Sequence, residues 1–128
     1  MRAETRFMRA VFGENFQDGD LLEEVDGVTL RDSIWSLLGG LESLHSHRPL
    51  FANRLKTLVR MRFGFGNGTA SNGGKTYGEI GREFRLTGER VRQMEKSMLQ
   101  MLRHPSRSGQ LKPYIRDKGA WGFLSLVL

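Results

Sequence analysis

The segment from Gly88 to Leu102 carries the residues whose types and spacing could do chemistry. Its apolar residues recur at helical spacing, which predicts a helix with one apolar stripe. The stripe consists of Val91, Met94, Met98 and Leu102. The opposite side carries Glu89, Arg92, Gln93, Lys96 and Gln100. Carboxylate, guanidinium, amide and ammonium groups in one row are suited to hydrogen bonding with the edges of nucleic-acid bases.

The elements just upstream would position this row. Thr76 and Glu79 form a capping box, which predicts a short helix with Tyr77, Ile80 and Phe84 on one side. A turn at 85–87 follows, and Thr87 can cap the second helix. Gly81 supplies a small residue where the two helices would cross. This is the helix-turn-helix plan, although the geometry alone leaves an ordinary helical hairpin with a solvated charged face equally open.

Two further helices are predicted upstream, which makes the fold class all-α. Residues 29–45 repeat leucine and isoleucine at 3.6-residue spacing, with Thr29 and Asp32 at the start. Residues 50–63 place Phe51, Leu55 and Leu58 on one face, and the alternation over 59–65 leaves a strand as the competing interpretation. The stretch 64–75 is rich in glycine and reads as a flexible connector. It is not a P-loop, because the position that needs the first glycine is Thr69.

The charge of the 128-residue chain is unevenly placed. Residues 1–29 have a net charge of −4 and residues 30–128 a net charge of +10, within a total of +6. A basic body favours a polyanionic partner. The favoured interpretation of residues 1–29 is a solvated, partly disordered acidic leader or linker, and the alternative is an acidic segment that imitates nucleic acid.

Nothing in the sequence indicates an enzyme, a metal site or a cofactor. The chain has no cysteine, which excludes disulfides and thiolate zinc sites and agrees with a cytoplasmic location. His45, His47 and His104 lack the partners of a metal site, and no nucleophile motif is present. The longest apolar run, 123–128, is too short to span a bilayer, so no membrane partner is expected.

The residues from Thr76 to Leu111 closely resemble region 4.2 of the sigma-70 family of bacterial transcription initiation factors. The shared motifs are T-x-x-E-[IV]-G at 76–81, L-T-x-E-R-V-R-Q-x-E at 86–95 and L-R-H-P-S-R-S at 102–108. Upstream, 58–65 looks like the end of region 4.1 and 30–41 like its beginning, whereas 15–24 is only faintly similar to the acidic linker before region 4. The domain implied is 30–115, between the leader and an apolar tail at 116–128.

The resemblance implies roles for individual residues. The base-reading positions at a promoter −35 element would be Glu89, Arg92 and Gln93, with Lys96 on the same face. Positions that hold the DNA backbone or brace the motif would be Arg54, Arg62, Thr76, Thr87 and Arg90. For Arg62 a structural arginine and a phosphate contact are equally open, because it lies among apolar residues. The polymerase-binding groove would be formed by Ile34, Leu37, Leu38, Leu55 and Leu58.

The implied function is promoter −35 recognition in bacterial transcription initiation, with docking on the β flap of core RNA polymerase. An anti-sigma or activator protein is a further candidate partner. The resemblance covers only the C-terminal part of a sigma factor, so the chain is expected to be a fragment of one or a separate regulator. The alternatives are a stand-alone regulator and a polymerase-binding, anti-sigma-like interaction module.

Several residues depart from the family pattern. Gly88 replaces an arginine that makes a principal base contact in the family, which favours the interaction module, whereas the intact residues 89–93 argue against it. Ser97, Gln100 and Met101 replace basic residues that meet activators. The tail reads either as extra core, which is slightly favoured, or as an exposed apolar peptide for a partner.

Overall fold

The computed structural model describes residues 1–44, 54–65 and 74–116, and most of these residues are helical. The helices of these ranges are α1 (Ala3–Phe12), α2 (Leu30–Leu44), α3 (Leu55–Phe63), α4 (Tyr77–Phe84), α5 (Gly88–Leu102) and α6 (Pro105–Ser108). The remaining elements are two 3-10 turns, Asp18–Asp20 and Lys112–Tyr114, and a hairpin of β1 (Glu24–Val25) and β2 (Val28–Thr29). The predicted all-α class is confirmed.

The helix predicted over 29–45 is α2. The hydroxyl of Thr29 accepts a hydrogen bond from the amide of Asp32 at 3.1 Å, which caps its first turn. The helix predicted over 50–63 is α3 where the structure describes it, and residues 50–53 lie outside the described ranges. Gly64 ends α3 in the left-handed conformation, with φ of 83°. Residues 59–63 are therefore helical, and the competing strand is not formed.

The described residues divide into two compact units. The terminal unit is drawn from Met1–Leu37 and Leu99–Leu128, and the central unit from Leu38–Met98. Fully buried side chains of the terminal unit include Phe7, Met8, Phe16, Leu30, Ile34, Leu102 and Leu111. Those of the central unit include Leu38, Leu41, Leu55, Leu58, Val59, Ile80, Val91 and Met98. Each unit thus has an apolar core built mainly from helix faces.

The acidic leader, residues 1–29, is not the solvated, partly disordered segment that its charge led us to expect. Its first part forms α1, and α1 buries Phe7, Met8, Val11 and Phe12 in the terminal unit. The guanidinium of Arg9 donates two hydrogen bonds, at 2.9 and 2.6 Å, to the carbonyl of Phe16. Most of the acids of residues 1–29 are exposed, so a count of charges did not reveal the apolar face that folds this segment.

A hairpin and the 3-10 turn at 112–114 complete the terminal unit. The hairpin turns at Asp26 and Gly27, which both have positive φ, as a two-residue type I′ turn requires. The carbonyl of Tyr114 accepts a hydrogen bond from the amide of Leu22 at 2.7 Å. The Tyr114 hydroxyl lies 2.7 Å from the Ser33 hydroxyl and donates to the Val28 carbonyl at 3.0 Å. Residues after Arg116, and with them the apolar tail, lie outside the described ranges.

Candidate nucleic-acid interface

The turn between α4 and α5 is built as the sequence predicted. Thr76 and Glu79 form a reciprocal capping box at the start of α4, with distances of 2.9 and 3.2 Å. Arg85 ends α4 in the left-handed conformation, with φ of 58°. The amide of Leu86 then bonds to the carbonyl of Gly81 at 2.8 Å. A Cβ atom on Gly81 would lie 2.5 Å from the Leu86 carbonyl oxygen, so this close approach requires glycine.

The two faces of α5 are separated as expected. Val91, Met94, Met98 and Leu102 are at most 2% exposed, which confirms the predicted stripe. Glu89, Arg92, Gln93 and Lys96 are all exposed. The structure thus brings the four predicted base-reading side chains together on the solvent side of one helix.

Glu89 and Arg92 form a bidentate ion pair on this exposed face. The guanidinium nitrogens of Arg92 lie 2.9 and 2.6 Å from the two carboxylate oxygens of Glu89. The hydrogen bond from Arg92 holds the pKa of Glu89 below its usual range. The same contact raises the pKa of Arg92. Glu89 therefore remains an ionised acceptor and Arg92 a charged donor at neutral pH.

Thr76, Thr87 and Arg90 lie at the starts of the two helices. The hydroxyls of both threonines act as helix caps. Thr76 accepts a hydrogen bond from the amide of Glu79 at 3.2 Å, and Thr87 accepts one from the amide of Arg90 at 3.1 Å. Arg90 is exposed in the first turn of α5. These three residues are placed at helix N-termini, where backbone amides and the helix dipole favour anions.

Arg54, at the start of α3, contacts α4 through its side chain. Its guanidinium donates to the carbonyl of Phe84 at 3.1 Å and lies 5.1 Å from the centroid of the Phe84 ring. Arg54 therefore satisfies the Phe84 carbonyl at the end of α4 and links α3 to the helix-turn-helix.

Arg62 belongs to a network inside the central unit, together with Tyr77 and Glu95. Its Nε donates to the Glu95 carboxylate at 2.9 Å, its Nη1 donates to the Lys75 carbonyl at 3.2 Å, and its guanidinium lies 4.2 Å from the Tyr77 ring centroid. The Tyr77 hydroxyl donates to the other oxygen of Glu95 at 2.7 Å. These contacts are those expected of a structural arginine, which is one of the two roles that the sequence left open for Arg62.

The network perturbs two ionisable groups. Burial works to lower the pKa of Arg62, but Glu95 and Tyr77 outweigh it and the pKa is raised. Burial raises the pKa of Tyr77, and its hydrogen bond to Glu95 raises it further. Sequence reasoning did not single out Glu95. The available signal was an acid at the edge of the apolar stripe of α5, and an arginine among the apolar residues of α3.

No group of metal-ligating side chains occurs within the described ranges. His104 is used locally, since its Nδ1 accepts from the amide of Ser106 at 3.2 Å and caps α6. His45 and His47 lie outside the described residues. Among the helices that the structure describes, none is both long and apolar enough to cross a membrane.

Residues 52–104, which contain this site, match the family described as Sigma-70, region 4. The chain carries a sigma-70 region 4 domain. This family is a DNA-binding, non-enzymatic domain of transcription factors, in agreement with the sequence prediction.

The region 4 chain is similar to several bacterial proteins named RNA polymerase sigma factor SigA. It is 38% identical over 98 residues to that of Listeria monocytogenes, which covers 76% of this chain and 25% of the relative. The identity is 47% over 62 residues with that of Clostridium acetobutylicum, covering 48% and 15%. It is 38% over 103 residues with that of a Synechocystis species, covering 80% and 23%. The matched residues thus span between 15% and 25% of the length of these relatives.

Gly88, where the sequence resemblance implies that a base contact is missing, is also a place of close packing. A Cβ atom on Gly88 would lie 3.3 Å from the amide nitrogen of Gly78 and 3.4 Å from its Cα, in the first turn of α4. The distance of 3.3 Å is slightly shorter than an ordinary van der Waals contact. Any larger residue at 88 therefore needs α4 to move by a few tenths of an ångström.

The residues expected to bind polymerase are placed in the interior. Ile34 and Leu37 of the terminal unit are 0% and 7% exposed, and Leu38, Leu55 and Leu58 of the central unit are each 0% exposed. All five contribute to the core of their units. Helical periodicity identified them as one apolar set, but periodicity alone does not separate a core face from a docking face.

Proposed function

We propose that this region 4 domain binds promoter DNA at a −35 element, with α5 in the major groove. The observation that carries the proposal is the joint exposure of Glu89, Arg92, Gln93 and Lys96 on one side of α5, opposite its buried stripe. A helix-turn-helix presents this face of its second helix to base edges. The match to Sigma-70, region 4 supports the same arrangement.

Each exposed side chain has a suitable partner on a base or phosphate. The Glu89 carboxylate accepts from cytosine N4, the Arg92 guanidinium donates to guanine or a phosphate, and the Gln93 amide suits adenine or thymine. In the free chain Glu89 and Arg92 satisfy each other. Exposed ion pairs contribute little to stability, so this pair exchanges readily for contacts with DNA.

The DNA backbone is contacted by the N-terminal turns of the two helices, through Arg90 and the capping residues Thr76 and Thr87. Phosphate contacts of this kind set affinity and register, not sequence. Arg54 and Arg62 support the helix-turn-helix from within the domain, since their described contacts are with Phe84, Glu95 and Tyr77.

The test is a titration of the chain against a −35 duplex and its single-base variants. Glu89→Ala is expected to reduce the preference at one base pair by roughly 10- to 100-fold. Glu83→Ala is the matched control, because Glu83 is an exposed carboxylate of α4 that pairs with Lys75 at 3.9 Å. An unchanged base preference in Glu89→Ala would refute the assignment of Glu89.

We also propose that the domain docks on the β flap of bacterial RNA polymerase in the cytoplasm, through α2 and α3. Because Ile34, Leu37, Leu38, Leu55 and Leu58 are buried in the free chain, docking through them requires these helices to exchange their present contacts for contacts with the flap. Hydrogen exchange of the chain with and without core polymerase tests this. Binding that left the exchange of 30–44 and 55–63 unchanged would exclude this docking mode.

A second candidate is a polymerase-binding interaction module without sequence-specific DNA binding. Gly88 favours it, since the residue at this position has no side chain with which to read a base. The same titrations decide between the two functions. Tight binding to core polymerase together with sequence-independent DNA binding would favour the module.

A further inference from the structure

Arg85 adopts an unusual backbone conformation in the turn between α4 and α5. Among the described residues other than glycine, only Asp26 and Arg85 have positive φ, of 53° and 58°. Aspartate is a favoured residue in the two-residue hairpin turn where Asp26 lies. Arginine has no such preference, because its Cβ crowds the backbone in the left-handed region. The turn requires this conformation, but it does not explain why position 85 holds an arginine.

The dipole at the C-terminal end of α4 does not explain the arginine either. Cations stabilise this end of a helix. However, Arg82 already lies in the last turn of α4, and the guanidinium of Arg54 donates to the Phe84 carbonyl at 3.1 Å. Glu83, an acid of the same turn, already has a lysine partner at 3.9 Å. Arg85 therefore adds a further positive charge to a helix end that has two, and like charges repel.

The exposure and the position of Arg85 suit a contact with the DNA backbone. Arg85 is exposed, and it precedes Thr87 by two residues, a Cα separation of at most about 7 Å. Thr87 caps α5, where the proposed function places the DNA backbone. Phosphates of one DNA strand follow one another about every 3.4 Å along the helix axis. A side chain as long as that of Arg85 therefore reaches a phosphate near Thr87.

We propose that Arg85 binds a phosphate of the DNA backbone beside the groove that α5 occupies. Planar guanidinium forks match the oxygens of phosphate, and in the complex this contact offsets the strain of the turn. The inference rests on the proposed function in taking DNA as the ligand. Because a phosphate contact carries no sequence information, Arg85 raises affinity and not base preference.

The test compares three replacements of Arg85 in the full chain. Arg85→Gly removes the charge and relieves the backbone strain, Arg85→Asn removes the charge with a residue that tolerates positive φ, and Arg85→Lys keeps a positive charge. Arg31→Gln is the control for net charge, because Arg31 is an exposed arginine of the terminal unit that pairs with Glu4. Melting temperatures are measured by circular dichroism. Binding to a −35 duplex and to a scrambled duplex is measured by fluorescence anisotropy over a series of salt concentrations.

Stability and DNA affinity are expected to change in opposite directions. Arg85→Gly and Arg85→Asn should melt up to about 5 °C above the parent, and yet bind both duplexes about five- to tenfold more weakly. Their slopes of log K against log salt should fall by about one, whereas those of Arg85→Lys and Arg31→Gln should not. Slopes equal to that of the parent would overturn the proposal. So would an equal fall in Arg31→Gln, because it would show a general effect of net charge.

The ratio of affinities for the two duplexes reports on the proposed function instead. If the parent binds both duplexes equally, the proposed −35 recognition fails, and the slope of Arg85→Gly still decides the phosphate contact. A polyglutamate peptide is the third ligand. If Arg85→Gly weakens binding of this peptide while the DNA slopes stay equal, Arg85 serves an acidic protein partner and the proposal is wrong.

Discussion

Glu95 links three elements of the central unit, and its replacement is the most direct test of how the helix-turn-helix is held. Its carboxylate accepts from Arg62 of α3 at 2.9 Å and from the hydroxyl of Tyr77 of α4 at 2.7 Å. The side chain is 11% exposed, whereas that of Arg62 is 31% exposed. Glu95→Leu keeps a similar volume and removes both acceptors.

The expected loss follows from these contacts. A hydrogen bond to a charged group contributes about 1.5–3 kcal/mol and one between neutral groups about 1 kcal/mol. Arg62 keeps its bond to the Lys75 carbonyl and regains some water, which reduces the loss. We therefore expect Glu95→Leu to lower the free energy of unfolding by about 2 kcal/mol, or the melting temperature by roughly 8 °C.

A double-mutant cycle with Tyr77→Phe isolates the shared bond. Tyr77→Phe alone is expected to cost about 1 kcal/mol. Because both variants break the same hydrogen bond, the double variant should be more stable than additivity predicts by about 1 kcal/mol, measured by urea denaturation and circular dichroism. Additivity within about 0.3 kcal/mol would show that Tyr77 and Glu95 are not coupled, and would refute the network as the link between α4 and α5.

Three further predictions concern the fold around the site. The raised pKa of Tyr77 means that folding favours its protonated hydroxyl. The stability that this hydroxyl contributes is complete below a pH of about 10 and is lost as pH rises through the pKa of the folded chain. Thermal melts of Tyr77→Phe should therefore show a smaller alkaline loss of stability than the parent. Gly81→Ala should destabilise the chain by about 2 kcal/mol, because its Cβ would lie 2.5 Å from a carbonyl oxygen. Gly40→Ala on α2 should stabilise it by about 0.5–1 kcal/mol, because the added Cβ has nothing within 4 Å. Equal melting temperatures of the two variants would contradict the close crossing of α4 and α5 at Gly81. Tyr114→Phe should cost about 1–2 kcal/mol, since it removes the contacts of a buried hydroxyl with Ser33 and Val28, and a melting temperature unchanged from the parent would show that these bonds contribute nothing.

The parts of the site that sequence reasoning predicted are those determined by neighbours along the chain. The capping box of Thr76 and Glu79, the Thr87 cap and the stripe that begins at Val91 each depend on residues within a few turns of one helix. Local hydrogen bonds and helical periodicity define such features completely.

The parts that were missed depend on residues far apart in the sequence or on signals that charge obscured. Arg62 and Glu95 are separated by 33 positions, so no local pattern pairs them. The α1 helix has apolar side chains at Phe7, Met8, Val11 and Phe12, yet the acidic charge of residues 1–29 favoured a solvated leader. Asp26-Gly27 is a strong signal for a two-residue hairpin turn, and it was available in the sequence.

Gly88 bears on the choice between the two candidate functions, and the structure weakens it as an argument for the interaction module. As a missing base reader, it favours a module that binds polymerase without reading DNA. However, the backbone of α5 at Gly88 approaches Gly78 of α4 so closely that a Cβ atom would be only 3.3 Å from the Gly78 nitrogen. A glycine there therefore also avoids a tight contact between the two helices, whichever function the chain has. Glu89 and Arg92 therefore separate the two candidates better than Gly88 does. Their exposed ion pair suits a domain that reads DNA bases, and no described packing requires it.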